Sequence, residues 1–430
     1  MPRDLRSQNV RSKFKMVNRM SKRNKSAVLL AAIMLAAVLL SSCSLFGQGD
    51  ATSAAPGSDT LPYSDATTVT PGSSGTTDST SSPVSGEVTS SPDETTAPTP
   101  PESGGDETTA PPVVTYVNPL TGLAETTDRR RVMPISVVLD NLSVAAPQSG
   151  ISRADILLEV PVEGGITRLI MITNNYGGSE VYGPVRSVRH YTVSLGQAFG
   201  TLTVGAGGSP MGYTMVKTLG IPYLDGVNGA YSGLGFYRDK ARMEKAGAAH
   251  SLMTTGERLI KLASRNGWST EAQSDVRPVF NFADEDAVFT GSGEAMHVCI
   301  PYSASQYVQM IYSRTAGTYY RYQLGDRAHI DAENGEQLNF TNVFLLFAET
   351  AAVPDDTEGR LDIVTTGEGS GYYVSGGRYM PIKWSRIGDT SSFIFTDEAG
   401  NVISVTPGKT FISVVPKGTE SQIELNYKAN

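Results

Sequence analysis

ILLEVPVEGGITRLIMIT, residues 156–173, decides the fold. Two mostly apolar runs, Ile156–Glu163 and Ile166–Thr173, surround Glu163-Gly164-Gly165, and this pattern reads as a hairpin of buried strands. In an extended strand Glu159 and Glu163 face one side, about 13 Å apart. That is wider than the roughly 5–9.5 Å between the carboxylates of a glycosidase pair. A two-residue turn at Gly164-Gly165 would set Arg168 opposite Pro161 and diagonal to both glutamates. A satisfied ion-pair ladder is the leading explanation of these charges, and a polar ligand surface is the other.

Working outward, Met133–Asp140 (MPISVVLD) reads as another buried strand. Arg189–Phe199 and Met211–Leu219 read as helices around a Thr201–Val204 strand. Thr254-x-x-Glu257 before Leu259, Ile260 and Leu262 is a capping box that opens a further helix. After about Pro278 the pattern changes to short strands around turns. Tyr307–Tyr312 and Tyr319–Leu324 flank Thr315–Gly317, Tyr372–Val374 and Tyr379–Trp384 flank Ser375–Gly377, and Phe393–Thr396 and Val402–Val405 precede Phe411–Val415. The expected class is α+β: a mixed α/β first domain over 114–275, a mostly β second domain over 276–418, and a tail over 419–430.

What precedes residue 114 differs in composition. Residues 1–25 carry nine Lys/Arg and one acid, and 27–40 are continuously apolar. A 14-residue run is shorter than the roughly 20 needed to span a bilayer. It ends in Leu40-Ser41-Ser42-Cys43, so 1–42 reads as a lipoprotein signal peptide with Cys43 as the lipid acceptor. Residues 43–113 then form an acidic Thr/Ser/Pro-rich stalk with no Lys or Arg. It cannot bury enough apolar surface to offset its chain entropy and is expected to be disordered, with a span of about 45 Å. The expected location is the outer face of the cytoplasmic membrane, held there by lipid.

Residue blocks in series carry a resemblance. Asn118-Pro119-Leu120-Thr121-Gly122, Ala146–Gly150, Arg153–Ile156, Glu163–Arg168, Gly183–Ser187 and Ala206–Pro210 come first. Arg360–Ile363, Pro381–Trp384 and Thr406–Lys409 follow. Over about 115–418 the chain resembles the YerB-like lipoproteins, a bacterial family of unknown function. The resemblance implies a lipid-anchored N-terminus and a two-part body, and brings no catalytic residues. Gly205 and Leu142 stand where the family pattern often has histidine.

Enzyme signatures are few. There is no Gly-x-Ser-x-Gly, and Ser12-x-x-Lys15 lies in the leader. Ile403 replaces the first glycine of a phosphate loop before Gly408-Lys409-Thr410, and Gly367-x-Gly369-Ser370-Gly371 reads as a turn. No cofactor or metal is expected: His297-x-Cys299 has no second ligand pair, so Cys299 reads as a buried structural thiol. Residues 114–430 hold 26 basic and 32 acidic groups without an aromatic–basic stripe, which argues against nucleic acid. The candidate ligand-binding set is Glu159, Glu163, Arg168, Arg186, Arg189, His190, Gly207, Gly208, Ser209, Arg238 and Asp239. Ser209 and Pro210 look like the cap and first position of a helix, where free amides could hold an anion. The favoured function is a non-enzymatic envelope module whose Arg/Glu-rich cleft binds an anionic polymer, a peptide or an envelope protein. The alternative is an envelope hydrolase or transferase using Glu159 or Glu163 with His190, or Asp239 with His250.

Lipidation at Cys43 gives a direct expectation. Cys43→Ala should leave an unprocessed precursor that takes up no labelled fatty acid, and acylation persisting in the variant would remove the assignment.

Overall fold

Strands that are apolar along their whole length need cover on both faces, and the fold supplies it by joining distant segments into one sheet. The computed structural model describes residues 114–426 apart from Ser232, Glu285, Asp286, Ala304, Ser305 and Gly325. The signal peptide, Cys43, the stalk and the end of the tail lie outside the described residues. In chain order the elements that matter are β1 (Ile135–Asp140), β2 (Ile156–Pro161), β3 (Thr167–Thr173), α1 (His190–Gln197), β4 (Leu202–Gly205), α2 (Pro210–Leu219), β5 (Tyr223–Asp225), α3 (Lys240–Ala246) and α4 (Gly256–Arg265). They continue with β6 (Gly293–Glu294), β7 (His297–Ser303), β8 (Gln306–Ser313), β9 (Thr318–Gln323), β10 (Asn342–Ala348), β11 (Gly367–Ser375), β12 (Arg378–Arg386), β13 (Ile394–Thr396) and β14 (Thr410–Pro416). Among the described residues all four α-helices precede residue 266 and the rest is strand and loop, as an α+β chain requires.

The large sheet runs β6–β12–β11–β10–β14–β2–β3–β1–β4–β5, with β13 beside β12. Its centre is the parallel pairing of β14 with β2, in register from Thr410↔Ile156 to Ser413↔Glu159. Strands from both halves of the sequence therefore share one sheet. On one face Leu157, Leu169 and Phe411 pack with Val298, Val308, Met310 and Tyr319 from the smaller β7–β8–β9 sheet. On the other, Leu158, Val160, Ile170 and Ile412 pack with Tyr191 and Leu195 of α1 and with Phe280, Phe393 and Phe395. Each such side chain, fully buried, contributes about 1.5–3 kcal/mol.

The hairpin forms, but not in the expected register. Five residues, Val162–Ile166, connect β2 to β3 through a 3-10 turn at Glu163–Gly165, with Gly164 and Gly165 both at positive φ. Arg168 pairs with Val160 and Thr167 with Pro161. A one-residue slip sends each side chain to the opposite face, so Glu159 and Arg168 point away from each other. Other differences are small. The last helix is capped by Thr255, whose hydroxyl accepts from Arg258 N, because Thr254 donates to Gly235 O instead. Gly367–Gly371 lies inside β11 and is not a turn. Glycine is required at Gly369, where a Cβ would meet the Trp384 ring at 2.5 Å.

Glu159, fully buried, accepts from Asn141 Nδ2 at 3.0 Å and Thr167 Oγ1 at 2.6 Å, and pairs with the equally buried Arg321 on β9. Arg321 also contacts His329 Nδ1 and donates to Gln323 Oε1 at 2.8 Å, and His329 Nε2 reaches Gln148 Oε1 at 2.8 Å. Removing one partner of such a pair leaves a buried charge uncompensated, so Glu159→Gln and Arg321→Met should each cost about 3–5 kcal/mol in urea unfolding. Replacing both by apolar residues should cost less than either alone. Additive losses would contradict the pairing.

Burial, and secondarily the Arg321 charge, hold the His329 imidazole well below its usual range. The folded state keeps it neutral, while the unfolded chain takes up a proton as pH falls below 6.5. Stability should therefore decline on acidification through that value, and His329→Gln should flatten the decline. An unchanged slope would contradict this account.

Candidate functional site

Strands β1, β4 and β5 run parallel, and open α/β sheets place ligands beyond the carboxyl ends of such strands. Asp140 ends β1 there. Its Oδ1 accepts from Leu142 N at 3.0 Å, and its Oδ2 is shared by His250 Nδ1 at 2.7 Å and Arg186 Nε at 3.3 Å. The Arg186 backbone is fixed by hydrogen bonds to Val138 O and from Ala206 N, which lock residues 183–188 between β1 and β4. Its Nη1 donates to Ala249 O at 2.8 Å. His250 ends a 3-10 turn, Ala248–His250, after α3. Asp140 is buried while the Arg186 and His250 side chains are 22% and 16% exposed, so one buried carboxylate presents two cation-forming groups at the surface. His250 Nε2 and Arg186 Nη2 have no hydrogen-bond partner among the described residues.

A second group lies on the same face of the sheet, since Arg168 stands opposite Asp140 in register. Glu163 accepts from Arg189 through both Nε, at 3.2 Å, and Nη2, and faces Arg168 Nη2 at 3.6 Å. Arg168 Nη1 donates to Ser187 O, and Arg189 Nη1 to Val188 O at 3.1 Å. Burial alone would raise the Glu163 carboxyl, but the Arg189 hydrogen bond and charge bring it below its usual range. Burial, then the neighbouring Arg189 charge, lowers the Arg168 guanidinium to about 10. Glu163, Arg168 and Arg189 thus largely satisfy one another.

The remaining candidates separate. Glu159 lies in the buried network on the opposite face. His190 Nε2 meets Asp362 Oδ1 at 2.8 Å, and His250 meets Asp140, so neither forms the expected pair with Glu159, Glu163 or Asp239. Ser209 caps α2 through Gly212 N at 3.0 Å, with Pro210 first in the helix. Two of the amides expected to be free are occupied: Gly207 N donates to Asp225 Oδ1 at 2.7 Å and Ser209 N to Val188 O. Asp239 caps α3, and Arg238 donates to Ala248 O, so both shape the turn that carries His250. Cys299 is half-buried rather than buried, with burial pushing its thiol up to about 11. Among the described residues no cluster of His, Cys, Asp and Glu could hold a metal. Three open depressions of about 380, 460 and 470 Å³ lie elsewhere, the last beside Tyr176 and Ile260.

Fold and site together define a class: a mixed sheet shared by two sequence segments, with a carboxylate-organised Arg/His pair at the edge of its parallel strands. Residues 120–269 match the N-terminal domain, and 298–412 the C-terminal domain, of a family described as protein of unknown function DUF3048. YerB of Bacillus subtilis (strain 168), a lipoprotein by name, is 30% identical over 304 residues, which are 69% of this chain and 86% of that protein. The crystal structure of Bacillus subtilis YerB superposes with a TM-score of 0.63 at 27% identity, covering 72% of this chain and 99% of that one. The chain belongs to this YerB-like DUF3048 family.

Burial separates the two arginines. Arg189→Ala breaks a mostly buried pair and should cost about 3–5 kcal/mol. Arg186→Ala removes a part-exposed side chain but leaves the buried Asp140 carboxylate to His250 and Leu142 N, and should cost about 1–3 kcal/mol. Equal losses in thermal unfolding would show that the burial argument is wrong.

Proposed function

We propose that this chain is an exported, lipid-anchored protein whose folded body binds an anionic group of the cell envelope at Arg186 and His250. The leader, the Leu40–Cys43 sequence and the lipoprotein name of its relative support anchoring through Cys43 on the outer face of the cytoplasmic membrane. The stalk over 43–113 then acts as a spacer that carries the body away from the lipid.

The observation that carries the binding role is Asp140 Oδ2, which holds both Arg186 Nε and His250 Nδ1. With Nδ1 donating to Asp140, Nε2 of the imidazole is left for a ligand, as is Nη2 of the Arg186 guanidinium held on the same carboxylate oxygen. A phosphate or carboxyl group can set one oxygen on Arg186 and share a proton with His250 Nε2. The fixed backbone of 183–188 preorganises this geometry, so little side-chain entropy remains to be lost on binding. Glu163, Arg168 and Arg189 add one net positive charge nearby and support the site without contacting the ligand.

Titration of the full chain in detergent with inorganic phosphate, followed by the imidazole NMR signals of His250, tests the site. A saturable shift in the native protein, lost in Arg186→Ala, is expected. No saturable shift, or an identical shift in Arg186→Ala, would remove the assignment.

A further inference from the structure

The strand edge that carries Arg186 and His250 also exposes large apolar side chains. Val144, Met211, Tyr213, Val227 and Met243 are 40% to 54% exposed. On one side of the Arg/His pair, Tyr213 and Val227 approach each other over Gly207. A Cβ there would lie 3.4 Å from Val227 Cγ2 and 3.8 Å from Tyr213 Oη, and Tyr213 Oη donates to Asp225 at 2.8 Å. The backbone beneath this group runs beside that of Arg186, since Ala206 N donates to Arg186 O at 2.9 Å and Val188 N to Gly207 O at 2.9 Å. On the other side, Val144 belongs to the turn Ser143–Ala145, which packs on α3. Arg242 of α3 donates to Ala145 O at 3.0 Å and Pro147 O at 2.7 Å, and Met243 is the next residue. The turn Ala248–His250 then leads from α3 back to Asp140. The segment beside Arg186 thus carries Tyr213 and Val227 above it, and α3, which leads to His250, carries Met243 and packs on the turn of Val144.

We infer that this edge docks an acidic peptide segment of a partner protein. A carboxylate of the segment meets Arg186 and His250, and its flanking apolar side chains lie on Tyr213–Val227 and Val144–Met243. This rests on the anion-binding reading and narrows it. Charge complementarity selects the occupant: residues 238–250 carry four Lys/Arg against Asp239 and Glu244, in a chain of net charge −8. Adaptable methionine and a part-exposed tyrosine suit peptide side chains. A bare polyanion would leave the apolar side chains on either side uncovered, and exposed apolar side chains grouped with a charged centre suit an interaction site.

The test is fluorescence anisotropy of the full chain in detergent with a labelled ten-residue peptide of alternating glutamate and leucine or phenylalanine. Replacing its glutamates by glutamine, or its apolar residues by serine, should weaken binding at least tenfold. The double variant Tyr213→Ser, Met243→Ser should weaken the acidic–apolar peptide at least fivefold while leaving the phosphate-induced shift of His250 intact. Equal binding of the serine peptide, or native-like peptide binding by the double variant, overturns the docking proposal. Loss of the phosphate response in native protein overturns the anion reading beneath it, so the two failures are distinguishable.

Discussion

Everything else in the molecule depends on the buried pair of Glu159 and Arg321. The carboxylate sits on β2 and the guanidinium on β9, 162 positions apart in sequence, and both are fully buried. A buried charge is tolerated only when its counter-charge and hydrogen bonds are in place. The pair therefore fixes how the smaller sheet lies on the larger one, and Gln148, Asn141, Thr167, Gln323 and His329 surround it with hydrogen bonds, Arg321 Nε alone of its guanidinium nitrogens lacking a partner among the described residues. Arg386 makes a second tie on the opposite face. Its guanidinium is buried without a carboxylate, donating to Ser194 of α1 and to carbonyls of Thr365, Asp389 and Ser391. Burial lowers it to about 10, and the cost is offset by its full set of acceptors.

Asp140 and Asn141 show how a short sequence serves two faces. They are consecutive, so their side chains diverge. Asn141 enters the Glu159 network, while Asp140 meets Arg186 and His250. The interior network and the surface site are thus built from neighbouring residues of one strand end. Rigidity of the first supports the geometry of the second.

Much of the fold was legible because periodicity is local. The strands around 156–173, the helices after 189 and 210, and the Ser209–Pro210 cap stand where the pattern of apolar and capping residues puts them. The resemblance to YerB-like lipoproteins was carried by blocks in series and agrees with the family match. The register of the hairpin was not legible, since two glycines permit either a two-residue turn or the longer 3-10 connection, and only tertiary burial of Glu159 decides. The joining of β14 to β2 was likewise hidden, because parallel strands 254 residues apart leave no local trace. In the site, Arg186 and Arg189 were visible as clustered charges, but their fates differ through burial. Asp140 was missed as a site residue. Its one signal is a carboxylate closing an otherwise apolar strand, and its partner His250 lies 110 residues away.

The central claim is that one buried carboxylate organises an anion site at the edge of the parallel strands. A crystal structure of the body grown with inorganic phosphate tests it most directly. The account predicts phosphate seated between Arg186 Nη2 and His250 Nε2, with His250 Nδ1 still on Asp140. Phosphate bound only elsewhere, or a His250 ring turned away from Asp140, would contradict it.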